Sequence, residues 1–127
     1  MKVNELQIGD WVYNSKRSQF PMQVVAIFEH GDLYLDFEGN EGDVWECEAE
    51  EVEPIPITAE ILEKNGIENT VGTTHEWEDG DKSIDIILRW EVCRIQGDKG
   101  GCKCHIIYVH ELQQALRLCG IDKEIKL

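Results

Sequence analysis

Short stretches of alternating apolar and polar residues, separated by glycine-containing turns, constrain the fold of this chain most strongly. Successive side chains of a β-strand point to opposite faces, so alternation predicts strands with one buried and one exposed face. The first fifty residues predict four short antiparallel strands: Trp11–Tyr13, Met22–Phe28, Leu33–Glu38 and Val44–Glu48. Short strands at this spacing favour a small SH3-like barrel or a strongly bent antiparallel sheet, because closure removes exposed strand edges.

The second half of the chain predicts a helix, three antiparallel strands and a helix. Thr58 is a good N-cap for the first helix, and Asn65-Gly66 offers its end. The predicted strands are Thr73–Trp77, a long strand that starts at Ser83 and continues the alternation to Val92, and Cys102–Val109. The turns between them are Asp79-Gly80 and the glycine-rich segment 97–101. The last helix runs from His110 to Cys119.

The two halves are joined by a segment that favours a linker. Pro54 and Pro56 cannot donate hydrogen bonds to a strand ladder, so the segment 51–57 is predicted to be unpaired. We therefore expect a β lobe over residues 1–57 and an α+β lobe over residues 58–127, packed as one compact unit. The fold class predicted for the whole chain is α+β.

Acidic residues are concentrated in the first half of the sequence. The chain has 26 acidic and 12 basic residues, a net charge of −14. Residues 1–57 hold 13 acidic and 3 basic residues, and the segment 29–53 holds 11 acidic residues without a lysine or arginine. Such a surface repels nucleic-acid phosphates and attracts basic proteins, so ordinary nucleic-acid binding is not expected. The same acids would also keep a small protein in solution without any partner.

Five cysteines make an odd count: Cys47, Cys93, Cys102, Cys104 and Cys119. The first ten residues lack the apolar core of a secretion signal, and no stretch approaches the roughly 20 apolar residues of a membrane span. We therefore expect free thiols in the reducing cytoplasm and no membrane association.

The segment Cys102-x-Cys104-His105, with Cys93 on the preceding strand, is the nearest approach to a metal site. Zinc takes four thiolate or imidazole ligands, usually with two residues between paired cysteines, whereas here the spacing is one. If residues 94 and 104 pair, Val92 faces Ile106 and the potential ligands are scattered over both faces of the sheet. The sequence therefore predicts no metal, and these cysteines are interpreted as small core residues.

No catalytic motif accompanies the histidines at positions 30, 75, 105 and 110. Nucleophilic catalysis needs a cysteine or serine beside a base that is oriented by a third group. The glycine-rich segment 97–101 lacks the spacing of a phosphate-binding loop and joins two strands. We therefore predict no catalytic residues and no cofactor.

Aromatic and acidic residues of the first half form the candidate interaction surface. Small barrels bind extended ligands through exposed aromatic side chains, for which Trp11 is a better candidate than the core-like Trp45. The predicted surface consists of Trp11, Tyr13, Asp36, Glu38, Glu41, Asp43, Glu46 and Glu48.

Three segments carry a resemblance to a known group of proteins: Glu5–Val12, the junction Glu53–Thr58 that continues into Ile61–Gly66, and Tyr108–Gln113. Together they resemble a family of small uncharacterised proteins from gut bacteria, their prophages and their phages. The resemblance implies a free-standing cytoplasmic protein of mobile-element origin. It assigns no activity to any residue.

Three functional hypotheses follow from the sequence. The first is a non-enzymatic protein-interaction module whose acidic face binds a basic partner. The second is a nucleic-acid mimic that blocks a DNA-binding protein, for which carboxylates should be spaced regularly along one exposed edge. The third is a small hydrolase or metal enzyme, which requires a pocket with convergent titratable groups. The oligomeric state is left open.

Overall fold

A computed structural model describes residues 1–16, 20–39 and 42–127. The chain divides into two compact units, Met1–Ile55 and Pro56–Leu127. The described residues form two five-stranded antiparallel sheets, one in each unit, and two α-helices. The predicted α+β class is therefore confirmed.

The N-terminal sheet contains five strands in the order β4-β3-β2-β1-β5. Their bounds are β1 Trp11–Asn14, β2 Pro21–Ile27, β3 Asp32–Asp36, β4 Trp45–Glu48 and β5 Val52–Pro54. The four strands predicted from alternation are confirmed. Of the two predicted arrangements, a closed SH3-like barrel and a strongly bent antiparallel sheet, the closed barrel is wrong, because the described strands form an open sheet with β4 and β5 at opposite edges.

Strand β5 corrects the predicted linker. Val52 lies opposite Asn14 and Pro54 lies opposite Val12, so the chain pairs with β1 where it was expected to be unpaired. Proline is tolerated here because β5 is an edge strand. On the outer side of an edge strand there is no neighbouring strand to accept a hydrogen bond, so the missing N–H of proline costs nothing.

The inner face of the N-terminal sheet forms the core of this unit. Alternate residues along three strands are completely buried: Val12, Met22, Val24, Leu33 and Leu35. Cys47 on β4, Ala49 and Val52 complete the cluster. Each large side chain buried in this way stabilises the fold by about 1.5–3 kcal/mol. The alternation of apolar and polar residues therefore determines which face of the sheet is buried.

The C-terminal sheet is a five-stranded meander in the order β10-β9-β8-β7-β6. Its strands are β6 Glu68–Val71, β7 Thr74–Asp79, β8 Lys82–Ile87, β9 Val92–Gly97 and β10 Gly100–His105. Three strands were predicted, so this prediction is wrong. The predicted long strand is interrupted by a 3-10 turn at Leu88–Trp90, followed by Glu91 in the left-handed region at φ 55°.

Strand β6 was missed because its four residues are all exposed and show no alternation. Two further 3-10 turns, Val3–Glu5 and Ala49–Glu51, flank the strands of the N-terminal unit.

Two helices pack against the C-terminal sheet. Helix α1, Ala59–Lys64, begins after Thr58, whose Oγ1 accepts a hydrogen bond from the Ile61 N–H at 3.2 Å. Helix α2, Val109–Cys119, ends at Gly120 with φ 75°. Both predicted helices are confirmed, and no helix among the described residues is long and apolar enough to cross a membrane.

Candidate functional site

The exposed side of the N-terminal sheet carries most of the predicted interaction surface. Because Val12, Leu33, Leu35 and Cys47 point into the core, the residues that alternate with them project from the opposite side. We call this side the outer face and define it by the following residues: Trp11, Tyr13, Gln23, Asp32, Tyr34, Asp36, Glu46 and Glu48.

The strand register brings the outer-face residues into rows across the sheet. One row runs from Trp11 through Gln23 to Asp36. On the neighbouring strands, Tyr34 lies opposite Glu46. Directly opposed side chains have Cβ atoms about 4.5–5.5 Å apart, so aromatic and acidic groups of different strands are neighbours.

Aromatic rings give the outer face an apolar component. Trp11, Tyr13 and Tyr34 are half-buried. The ring of Phe28 packs edge-to-face against Tyr34 with a centroid distance of 4.8 Å. Aromatic rings bind cations and planar guanidinium groups through their π-faces.

Like charges are opposed on the acidic side of the outer face. Asp32 on β3 lies directly opposite Glu48 on the edge strand β4. Directly opposed like charges destabilise a sheet by a few tenths of a kcal/mol to about 1 kcal/mol. Glu46 adds a third carboxylate to the same side of β4. This arrangement favours association with a positively charged group.

The structure gathers five of the eight predicted surface residues on the outer face: Trp11, Tyr13, Asp36, Glu46 and Glu48. Glu38 and Asp43 lie in the connection between β3 and β4 and are exposed. Glu41 lies outside the described residues. The surface is thus a sheet face with an adjoining loop, rather than a groove around an aromatic cluster.

Three outer-face residues were not predicted: Gln23, Asp32 and Tyr34. The sequence does contain the signal that identifies them. Tyr34 lies between the buried Leu33 and Leu35, so its side chain projects from the same face of the strand as that of Asp36. Trp45 packs against the core cluster, in agreement with its interpretation as a core residue.

Four of the five cysteines meet on the buried face of the C-terminal sheet. Cys93 lies opposite Cys104, and the Sγ atoms of Cys102 and Cys119 are 3.5 Å apart. The predicted pairing of residue 94 with residue 104 is wrong by one residue, because Arg94 pairs with Lys103. The cysteines are therefore gathered together, not scattered as predicted.

Three of the clustered thiols, those of Cys93, Cys104 and Cys119, have a raised pKa and are therefore poor nucleophiles at neutral pH. Burial, and secondly the hydrogen bond with Cys102, raise the pKa of Cys119 to about 11. Burial followed by the neighbouring thiols also raises the pKa of Cys93 and of Cys104. The nucleophilic form is the thiolate, which a raised pKa disfavours.

The remaining potential ligand, His105, lies opposite Val92 on the other face of the sheet. In the part of the chain that the structure describes, no group of three or more His, Cys, Asp or Glu side chains is arranged to hold a metal ion.

The other histidines have surroundings of different kinds. His75 is buried, and its Nδ1 lies 3.3 Å from the Thr73 carbonyl oxygen. His110 is buried in the first turn of α2 and stacks on Tyr108 with a centroid distance of 5.9 Å. His30 is exposed in the turn between β2 and β3.

Comparisons of the chain with protein-family models, with curated proteins and with solved structures gave no match.

Proposed function

We propose that this protein is a non-enzymatic interaction module that binds a basic protein segment on the outer face of its N-terminal sheet. The observation that carries the proposal is the placement of aromatic and acidic side chains from three strands, β1, β3 and β4, on one face of the sheet. Trp11, Asp36 and Glu46 represent β1, β3 and β4 on this surface.

Electrostatics support a cationic partner. Residues 1–57 carry a net charge of −10, and the opposed Asp32 and Glu48 carboxylates repel each other. A lysine or arginine placed between them converts this repulsion into attraction. A field of one sign also accelerates the encounter with an oppositely charged partner, and this acceleration decreases with salt.

The size of the face suits an extended segment. The four strands from β1 to β4 span about 14 Å at the usual strand spacing, a width that about five extended residues cross. The half-buried rings of Trp11, Tyr13 and Tyr34 offer cation–π contacts that favour arginine within such a segment. We therefore propose a short Lys/Arg-rich stretch of a protein as the ligand.

The proposal is tested by titrating the full chain with a short Lys/Arg-rich peptide. The double variant Glu46→Gln/Glu48→Gln removes two carboxylates from the outer face. Exposed ion pairs contribute about 0.2–1 kcal/mol each, so the dissociation constant should rise about 2- to 30-fold at low salt. The same variant should retain less of the basic partner than the unchanged protein in pull-downs from the native host.

A matched control is Glu60→Gln/Glu63→Gln, which removes two exposed carboxylates from α1. It changes the net charge equally and should alter the peptide affinity by less than about twofold. Equal weakening by both double variants would show that the peptide responds to the net charge of the protein and not to the outer face, which would contradict the proposal. Absence of peptide binding at low salt would refute the proposal outright.

Nucleic-acid mimicry is a second candidate with one observation in its favour. Glu46 and Glu48 project from the same side of the edge strand β4, about 6.7 Å apart by strand geometry, which gives a short regular array of carboxylates. The resemblance to proteins of phages and prophages also supports this candidate function. This candidate predicts that the protein displaces DNA from a basic DNA-binding protein, and that Glu46→Gln/Glu48→Gln abolishes the displacement.

We further propose that the module acts in the cytoplasm. All five cysteines are free thiols in the structure, which supports a reducing compartment.

A further inference from the structure

One face of the C-terminal sheet carries charged and aliphatic side chains that are exposed or half-buried. Its buried face, which includes Ile84, Ile86 and Ile95, packs with α1 and α2. The opposite face bears the residues that alternate with these, and it contains a depression of about 320 Å³. We call this surface the open face of the C-terminal sheet.

A row of charged residues crosses the open face. Strand register places Glu76 beside Asp85, Asp85 beside Arg94, and Arg94 beside Lys103. The row is therefore acidic on β7 and β8 and basic on β9 and β10. None of these four residues forms an ion pair within 4 Å with another described residue.

A second row on the same face is apolar at its centre. Ile87 on β8 lies opposite Val92 on β9. Trp90, in the 3-10 turn between these strands, is 65% exposed and lines the same depression. An exposed tryptophan beside two aliphatic side chains is typical of the centre of a protein interface. Both rows are thus centred between β8 and β9.

We infer that the open face of the C-terminal sheet binds a second copy of this chain. The charged row reads acid, acid, base, base, so it is complementary to itself when reversed. A two-fold axis that lies in the interface, parallel to the strands and between β8 and β9, performs this reversal. Asp85 then faces Arg94 of the second copy, and Glu76 faces Lys103 of the second copy.

The same axis leaves the apolar row in register with itself. Rotation about a line parallel to the strands keeps each position along the strand, so Ile87 and Val92 meet Val92 and Ile87 of the second copy. A two-fold axis across the strands would instead place acids against acids and bases against bases. Only the axis parallel to the strands brings opposite charges together in the charged row and aliphatic side chains together in the apolar row. A two-fold contact of this kind forms a closed dimer.

The size of the contact fixes the expected strength. The four strands from β7 to β10 span about 14 Å and are about 20 Å long, so each copy contributes roughly 300 Å² of planar area. This lies below the usual range of stable interfaces, and the dimer is therefore weak and concentration-dependent. The charged row makes it sensitive to salt.

Sedimentation equilibrium of the full chain tests the inference. From about 5 µM to about 500 µM protein at low salt, the apparent mass should rise from 14.6 kDa towards twice that value. Arg94→Glu places an acid against Asp85 of the second copy and should raise the dimer dissociation constant at least about tenfold. Asp85→Arg should do the same.

Charge reversal supplies the decisive rescue. In the double variant Asp85→Arg/Arg94→Glu, and in an equimolar mixture of the two single variants, opposite charges face each other again. The dissociation constant should return to within about threefold of that of the unchanged protein. Variants that merely disturb folding would not be rescued by mixing. Glu60→Lys, on an exposed site of α1, is the control that should not change the apparent mass.

If the Asp85 or Arg94 variants do not fold, Glu76→Lys and Lys103→Glu provide a second complementary pair on the same row. A chain that stays monomeric at the highest concentration would overturn the inference. A dimer that Arg94→Glu and Lys103→Glu leave unchanged would also overturn it, because the contact would then lie elsewhere.

Discussion

Replacement of Asn65 tests how the last residues of the chain, around Lys126, are attached to helix α1. Asn65 caps the C-terminus of α1 and is only 9% exposed. Its Nδ2 donates to the carbonyl oxygens of Ile61 and Lys126, both at 2.8 Å, and its Oδ1 accepts the Lys126 N–H at 2.7 Å. One amide side chain therefore holds a helix end and a segment 61 residues further along the chain.

The magnitude follows from these three hydrogen bonds. Each contributes about 0.5–1.5 kcal/mol net, but the Ile61 carbonyl keeps a backbone partner and the exposed Lys126 backbone regains water in the variant. We expect Asn65→Ala to lower the free energy of unfolding by about 2 kcal/mol. Asn65→Asp should cost more, about 3 kcal/mol, because a carboxylate oxygen then faces two carbonyl oxygens.

Urea unfolding followed by tryptophan fluorescence measures the loss, since Trp77 and Trp90 report on this unit. Hydrogen exchange gives a local check, because the Lys126 amide should lose protection in Asn65→Ala. Asn69→Ala is a matched control: Asn69 also donates to two carbonyls but is exposed, so about 0.5–1 kcal/mol is expected. An Asn65→Asp protein as stable as the original would refute the reasoning, because it would show that the two amide donors contribute nothing.

Four further changes have defined outcomes. Thr58→Ala removes the N-cap of α1 and should lower the free energy of unfolding by about 1 kcal/mol in urea; a change below about 0.3 kcal/mol would contradict the capping role. Glu91→Gly should raise the free energy of unfolding by about 0.5–1 kcal/mol, because glycine adopts φ 55° without the steric cost that Glu91 bears. A loss of stability in this variant would contradict the expectation. Gly97→Ala should cost at least about 2 kcal/mol, since its Cβ would collide with the Cys119 carbonyl oxygen, and an unchanged urea midpoint would be inconsistent with that contact. Because its pKa is raised to about 11, alkylation of Cys119 in the folded protein should accelerate about tenfold for each pH unit between pH 7 and 10, and rapid labelling at pH 7 would disagree with this.

Alternation was sufficient to predict the N-terminal strands and most of their exposed face. A period of two residues places Trp11 and Tyr13 opposite the buried Val12, and Glu46 and Glu48 opposite Cys47, without knowledge of which strands pair. The neighbour relations needed the register, and β5 needed tertiary context. A strand of three residues that contains Pro54 carries no local signal.

The C-terminal unit shows how a one-residue error changes a site. The glycine-rich segment 97–101 allows several turn lengths, and a turn longer by one residue moves every side chain of β10 to the other face. In the structure, Gly97 pairs with Gly100, so only Asp98 and Lys99 form the turn. The Lys99 N–H donates to the Cys119 carbonyl at 3.0 Å, a tertiary contact that the local sequence does not encode.

The open face of the C-terminal sheet could not be assembled from the sequence for the same reason. Its charged row combines residues of four strands, and the predicted register would have separated Arg94 from Lys103. The interruption at Leu88–Trp90, which presents Trp90 beside Ile87 and Val92, was also hidden, because the alternation continues through it.

Nuclear magnetic resonance of the labelled full chain during titration with a short Lys/Arg-rich peptide tests the central claim most directly. The claim predicts that the Trp11 indole N–H and the backbone amides of β3 and β4 shift in a saturable manner at low salt. The indole signals of Trp77 and Trp90 should stay in place. Shifts that centre on the C-terminal unit, or that follow every exposed acid equally, would contradict a binding surface on the outer face of the N-terminal sheet.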